Sequence, residues 1–439
     1  MTDKKEGAPK SGKNKFKNII IQWSRLLAAL LFLIMTSRFQ TSGENLPGDM
    51  LSFFSKSTEE SPRVAGNLNE PPSNNTLSEV KIAVVGDLMV HQWQLDDAYN
   101  KSTGEYNFDH NFETIKKYLK DPDLTVGNLE TTFAGSDVGY SDYPRFNTPD
   151  SFAVALRDAG FDMVSTANNH TNDKNEAGIF RTLDVLDSLG IQHFGSYRSQ
   201  DESKDIMLKD VNGIKFAFLS YTYGTNGLPL VSGHEWSVNQ LSKDKIVSDI
   251  RRAKALEPDF IVIMPHMGVE YAEVPSDTYK QWVKFMFESG ADIVLASHPH
   301  VIQPMEYTTI TDENGESRVC FVIYSLGNFI SSQRTIPRDE GIILNLYFEK
   351  NNSKARLVNV SFIPTWVQFV NANGLYDIKT LSVYDALSKT DGGKPGLRSK
   401  DISRLWNAHS HITRQLLGNP ISNGEIRNEY FLPNSEFTS

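Results

Sequence analysis

Five apolar runs in this chain end alike. KIAVVGD (81–87), DLTVGNLE (123–130), FDMVSTANNH (161–170), DFIVIMPH (259–266) and ADIVLASHPH (291–300) each begin as a buried, β-branched strand and finish in carboxylate, amide or imidazole. A core strand gains nothing by ending in Asn168-Asn169-His170, because a buried polar group costs free energy unless it is partnered. Helical spacing fills the gaps, at 109–120, 151–160, 179–190, 240–256 and 278–290. Alternating strands and helices predict an α/β sheet, and ligands of such sheets lie beyond the carboxyl ends of the strands. Five polar strand ends at one edge therefore describe one site.

The groups gathered there are Asp87, Glu130, Asn168, Asn169, His170, His266, His298 and His300. Glu270 lies four residues past His266, and His91 lies one helical turn past Asp87. Imidazole with carboxylate suits Mn, Fe, Zn or a related divalent metal. The set exceeds what one tetrahedral ion takes, whereas two ions roughly 3.5–4 Å apart would use it all. Each residue also has an ordinary use: Asp87 as a helix cap, the asparagines as turn residues, His266 as a core histidine. Their joint placement is what points to metal. The single cysteine, Cys320 in VCFVIY, reads as a small buried hydrophobe, so a thiolate zinc site is excluded. His409 and His411 stand two apart in a helix predicted over 401–417 and face different sides. His110, His193 and His234 have no partner pattern.

Charge is uneven along the 439 residues: the first 35 carry +5, leaving −15 on the rest of a chain whose net is −10. An acidic body argues against a nucleic-acid partner. The lysine-rich tail (1–18) precedes an apolar segment (19–37), which reads as a transmembrane signal-anchor with Arg25 snorkelling, or as a cleaved signal peptide. No A-x-A site or lipobox cysteine follows Met35, which favours the anchor. The preceding lysines place the body outside a cell membrane crossed once. Residues 38–78, rich in Ser, Asn, Glu, Pro and Gly, read as a linker; a body follows over 79–369 and an extension over 370–439. Late runs at 319–329, 341–349 and 355–364 have almost no helix between them, which predicts a second, mostly antiparallel sheet.

The motifs GDLMVH, NLETTF, ANNHTND, PHMGVEY, SHPHVIQPME and YSLGNF, in this order, resemble the bacterial capsule-synthesis proteins of the CapA/PgsA type, linked to poly-γ-glutamate and similar to calcineurin-like metallophosphoesterases. The resemblance covers about residues 80–330. It implies a four-layer α/β/β/α metallophosphoesterase-like sandwich behind the anchor, two divalent ions and a hydrolase-type, phosphoesterase-like site. By motif, Asp87, Glu130, Asn169, His266, His298 and His300 would be ligands, Glu130 bridging, and His170 the catalytic proton donor. Asn168 and Asp173 would fix the loop. The superfamily's Asp-x-His opening is absent, since Met89 stands two after Asp87. The implied partners are capsule synthase subunits and the anionic polymer, with Arg145, Arg334 and Arg338 as loop cations. A non-catalytic assembly or export factor is the alternative.

Overall fold

The computed structural model describes residues 77–311, 315–352, 354–388, 397–422 and 425–433. The segments expected as tail and anchor, and the linker up to position 76, lie outside the described residues; Leu77 and Ser78, expected as linker, already belong to the first strand. Among the described residues, no helix is long and apolar enough to cross a membrane.

In chain order the first half runs β1 (Leu77–Leu88), α1 (Gln92–Ala98), a short hairpin of β2 (Tyr99–Asn100) and β3 (Glu105–Tyr106), α2 (Lys116–Lys120), β4 (Leu124–Leu129), α3 (Ser151–Ala159), β5 (Met163–Ser165), α4 (Asn175–Ser188) and β6 (Gln192–Phe194). The middle runs β7 (Met207–Val211), β8 (Ile214–Thr222), α5 (Lys243–Lys254), β9 (Phe260–His266), α6 (Asp277–Ser289), β10 (Ile293–Leu295), β11 (Ile302–Thr311) and β12 (Ser317–Leu326). The last part holds β13 (Asn328–Ile330), β14 (Glu340–Asn351), β15 (Lys354–Ala372), β16 (Leu375–Ser382), α7 (Val383–Ser388), α8 (Ser399–Leu417) and β17 (Tyr430–Phe431).

Two sheets result. The first orders its strands β16-β15-β14-β1-β4-β5-β6, with β13 beside β1 and β17 beside β15. The second orders them β11-β12-β10-β9-β8-β7. The central neighbours β1–β4–β5–β6 and β8–β9–β10–β12 are parallel, so their carboxyl ends share an edge in each sheet.

Side-chain alternation along each strand builds the layers. Ile82 and Val84 of β1 face between the sheets, where they meet Phe216, Phe218, Val262 and Met264 of the second sheet. Ala83 and Val85 face the other way, onto Phe152 and Leu156 of α3 and Leu183 and Leu186 of α4. The outer face of the second sheet, with Leu219, Ile261 and Ile263, packs on Ile246 and Ile250 of α5 and Val283 and Phe287 of α6. The layer order is helix, sheet, sheet, helix.

Four expectations change. The late runs do not form a sheet of their own: 319–329 joins the second sheet in β12, whereas 341–349 and 355–364 join the first in β14 and β15, and both sheets mix parallel with antiparallel pairs. The helix predicted over 109–120 shrinks to α2 and a single 3-10 turn at Asp109–Asn111. Asn111 and Thr114 there donate to the Ile378 and Thr380 carbonyls of β16, which competes with continued helix. The strand predicted over 161–170 stops at Ser165, because the Asn168 amide turns to Thr171 Oγ1 and the His170 amide to Asn168 Oδ1. The strand predicted over 291–300 stops at Leu295, before two left-handed residues, His298 and His300.

The extension past 370 joins the same core. β15 runs through position 369, and Leu405, Ala408, Ile412 and Leu416 of α8 pack with Trp366, Leu381 and Tyr430 in the inter-sheet cluster. Truncation of a fully buried aliphatic costs about 2–5 kcal/mol. Ile412→Ala should therefore lower the unfolding free energy by that amount in a urea titration, without a second transition.

Candidate metal centre

The site forms where the carboxyl edges of the two sheets meet. Its first residue is aimed by a β-bulge: pairing of β1 with β4 slips between Val84 and Asp87. Bulges bend a strand and re-aim its side chains. Here the bend brings β1 against the β12–β13 turn, where the Asp87 amide donates to the Gly327 carbonyl at 3.0 Å. A Cβ on Gly86 would lie 1.9 Å from that carbonyl oxygen, which is why glycine precedes the aspartate. Gly86→Ala should force the turn away and lower the melting temperature by several degrees, as overpacking does at about 1–3 kcal/mol.

Asp87 Oδ1 accepts from Asn128 Nδ2 at 2.8 Å, and Oδ2 accepts from His300 Nδ1 at 3.0 Å. His300 Nδ1 also faces Asn328 Oδ1 at 3.1 Å, leaving Nε2 as the free ring nitrogen, 3.8 Å from Glu130 Oε1. His266 Nε2 donates to Asn169 Oδ1 at 2.7 Å and lies 3.5 Å from the same Glu130 oxygen. Asn128 Nδ2 stands 3.2 Å from His266 Nδ1, so this one amide touches both sides of the site.

His170 belongs to a second group beside these. Its Nδ1 donates to Asp173 Oδ2 at 2.7 Å, and the Phe146 amide donates to the same oxygen at 2.7 Å. The ring packs edge-on to Phe146, with centroids 4.6 Å apart. Asn168 pins the loop by donating to the Leu129 carbonyl at 2.7 Å. His91 is half-buried and edge-on to Phe146, and Glu270 is exposed at the mouth. Tyrosine rings complete the mouth: Tyr223 lies 4.7 Å from the His298 ring and Tyr271 6.0 Å from that of His300.

Among the described residues, donor atoms close enough to share an ion form three groups: Glu130, His266 and His298; Asp87, Glu130 and His300; Glu270, His298 and His300. The first two share Glu130. Glu130 Oε1 and His298 Nδ1 are buried without a hydrogen-bond partner. A buried, unsatisfied carboxylate oxygen facing two imidazoles fits a cation, and the donor chemistry is that of a divalent metal. His298 and His300 also hold positive φ angles of 109° and 58°, backbone conformations that cost free energy in non-glycine residues and cluster at functional sites.

Electrostatics agree. Burial and the Asp87 charge push the Glu130 carboxyl well up. Burial alone would raise Asp87, but the His300 hydrogen bond and charge, with the Asn128 amide, bring it below the usual carboxylate value. Burial and the neighbouring imidazoles hold His266 well below its ordinary value and His298 at about 4. Burial, aided by His300 and His170 against Asp142, also brings His91 to about 4.

With metal stripped, these shifts set a pH slope. Between about 4.5 and 6.5 the unfolded chain protonates three histidines that the fold keeps neutral, which lowers stability as pH falls. Glu130 opposes by one proton, since the fold keeps it protonated after the unfolded chain has released it. The net of about two protons corresponds to at most about 3 kcal/mol per pH unit. Urea unfolding across this window should show stability rising with pH, and His298→Gln should cut the slope by about one proton.

Sequence reasoning found the ligating types but missed Asn128, Asn328 and Tyr223. Asn128 and Asn328 stand inside NLE and LGNF, where the signal was an amide next to motif residues.

A profile of the family described as "Bacterial capsule synthesis protein PGA_cap" matches residues 81–333. The chain belongs to this family. It is 25% identical over 357 residues to "Capsule biosynthesis protein CapA" of Bacillus anthracis, covering 79% of this chain and 82% of that protein. It is 26% identical over 296 residues to "PGA biosynthesis protein CapA" of Bacillus subtilis (strain 168), covering 65% and 72%. Among solved structures, the Haemophilus influenzae NAD nucleotidase (NadN) aligns with a TM-score of 0.40 at 14% identity over 77% of this chain, which spans 61% of the nucleotidase. The calcineurin-like phosphoesterase YfkN of Bacillus subtilis aligns at 0.39 and 12% identity, over 76% of this chain and 98% of that one.

Proposed function

We propose that this capsule-synthesis family member is a metal-dependent hydrolase, phosphoesterase-like in type, that holds two divalent ions astride Glu130. One observation carries the reading: two donor groups share Glu130, whose Oε1 is buried and unpartnered. Asp87 and His300 would serve one ion, and His266 and His298 the other, with Asn169 Oδ1 turned to the same point as His266 Nε2. Such ions act as Lewis acids on an ester oxygen and make water nucleophilic near neutral pH.

The chain's own groups supply the rest. Asp173 fixes the His170 ring through Nδ1, and Phe146 sets its tilt, so that Nε2 is the nitrogen left to give a proton to a leaving group. Asn328 and Asp87 orient His300 through Nδ1, as outer partners of a ligating histidine do. Arg145 lies outside this dyad, donating its Nε–H to the Asp173 carbonyl at 2.6 Å, and Arg338 stacks 3.3 Å over the Tyr271 ring. Both guanidiniums border the mouth and would meet an anionic polymer. Arg334 is committed to the fold: it donates to the Val367 carbonyl and covers the Phe369 ring. The biological setting we infer is capsule synthesis at the cell membrane, with the body extracytoplasmic behind residues 19–37, beside synthase subunits.

Elemental analysis of the full-length protein should find about two metals per chain, with manganese-dependent turnover of an aryl phosphodiester. Asp87→Ala/His266→Ala should lose both. His170→Ala should keep the metal and lose about 10²–10⁴ in kcat. A folded sample with neither metal nor turnover would leave the assembly-factor role in its place.

A further inference from the structure

The helix α8 lies beyond the family match, yet three of its polar side chains reach toward the mouth of the site. Arg404, His411 and Gln415 stand at i, i+7 and i+11, one stripe flanking the buried stripe of Leu405, Ala408 and Ile412. Arg404 donates to Asp339 Oδ1 at 2.6 Å and to Glu340 Oε1 at 2.5 Å. His411 Nδ1 meets Glu340 Oε2 at 2.5 Å, and its Nε2 meets Glu273 Oε2 at 3.2 Å. Gln415 donates to the Glu273 carbonyl.

These acids root two segments that deliver site residues. Asp339 and Glu340 end the β13–β14 connection, whose Arg338 carbonyl accepts from Asn328 Nδ2 at 2.9 Å while Asn328 Oδ1 faces His300. Glu273 sits in the β9–α6 connection (267–276), which carries Glu270 and Tyr271 over His298 and His300. We propose that Arg404 and His411 form a latch through which α8 positions both segments at the metal-site mouth.

His411 is the hinge of the latch. Both ring nitrogens face carboxylate oxygens, and only an imidazolium donates from both. The charges around it balance when it is protonated: Glu340 from β14 and Glu273 from the β9–α6 connection face it, with Asp339, Arg404 and Arg334 behind. The Glu340 hydrogen bond, and then both carboxylate charges, raise its pKa against burial. The sign follows: the bond to Glu273 is present while His411 is protonated and is lost as pH rises through that raised pKa.

The latch itself does not depend on the proposed chemistry; only its effect on metal binding rests on that reading. The test is hydrogen exchange of segment 267–276 in the full-length protein, beside titration with manganese alone. His411→Gln removes the charge, and Glu273→Gln, at a side chain 47% exposed, removes only the outer carboxylate charge and so weakens the outer contact without threatening the fold. Both variants should exchange faster in 267–276 while β1 and β9 keep their protection. The wild-type loss of protection with rising pH, beyond intrinsic exchange, should vanish in His411→Gln, and its manganese affinity should fall about tenfold. Unchanged exchange in Glu273→Gln, or faster exchange spread evenly through β1 and β9, would overturn the latch. A protein that binds manganese and shows the latch, yet turns over no ester, would overturn the hydrolase reading alone.

Discussion

The contact between His300 and Asp87 fastens one sheet to the other, and the rest of the site depends on it. Asp87 comes from the bulged end of β1 and His300 from the turn after β10, so their hydrogen bond spans the inter-sheet seam at its carboxyl edge. Below it lies the apolar seam of Ile82, Val84, Val262 and Met264. Above it the polar groups stand in a buried pocket where charge is costly. That cost pushes the Glu130 carboxyl up and the His91, His266 and His298 imidazoles down in the bare protein, leaving buried donor atoms that a cation would satisfy.

The bulge makes this contact possible. Gly86 gives the Gly327 carbonyl room, and Gly341 does the same for the Asn328 carbonyl, where a Cβ would lie 2.3 Å away. These two glycines thus let β1, β13 and β14 come together closely enough for Asp87, Asn328 and His300 to share hydrogen bonds. The mouth is then held from outside by α8. The part of the chain beyond the family match supplies support for the site rather than ligands to it.

Much of this was legible in the sequence. The strand ends at Asp87, Glu130, Asn169, His266, His298 and His300 could be read because parallel strands deliver whatever they end in to their carboxyl edge; that two such edges, one from each sheet, meet there rather than one was not readable. Less legible were the breaks. The strand after Phe161 stops at Ser165, because Asn168 and Thr171 turn the backbone onto themselves, and local hydrogen bonding of that kind competes with ladder pairing invisibly to periodicity. The extension past 370 has little periodicity because its strand and long helix are separated by a short helix and a Lys- and Gly-rich stretch, although both contribute to the same core. His411 has no partner within its helix; its partners, Glu340 and Glu273, are 71 and 138 residues away, beyond the reach of local spacing.

The sequence by itself determined the elements and the chemistry: which runs become strands, which residues end them, and that these residues are metal-ligating in kind. Those properties follow from local spacing and composition. Only the tertiary structure decided which donor groups converge, that Asn128 and Asn328 hold them, and that α8 reaches the mouth. Those outcomes depend on how two sheets register across a seam, and register is set by packing between residues far apart in the chain.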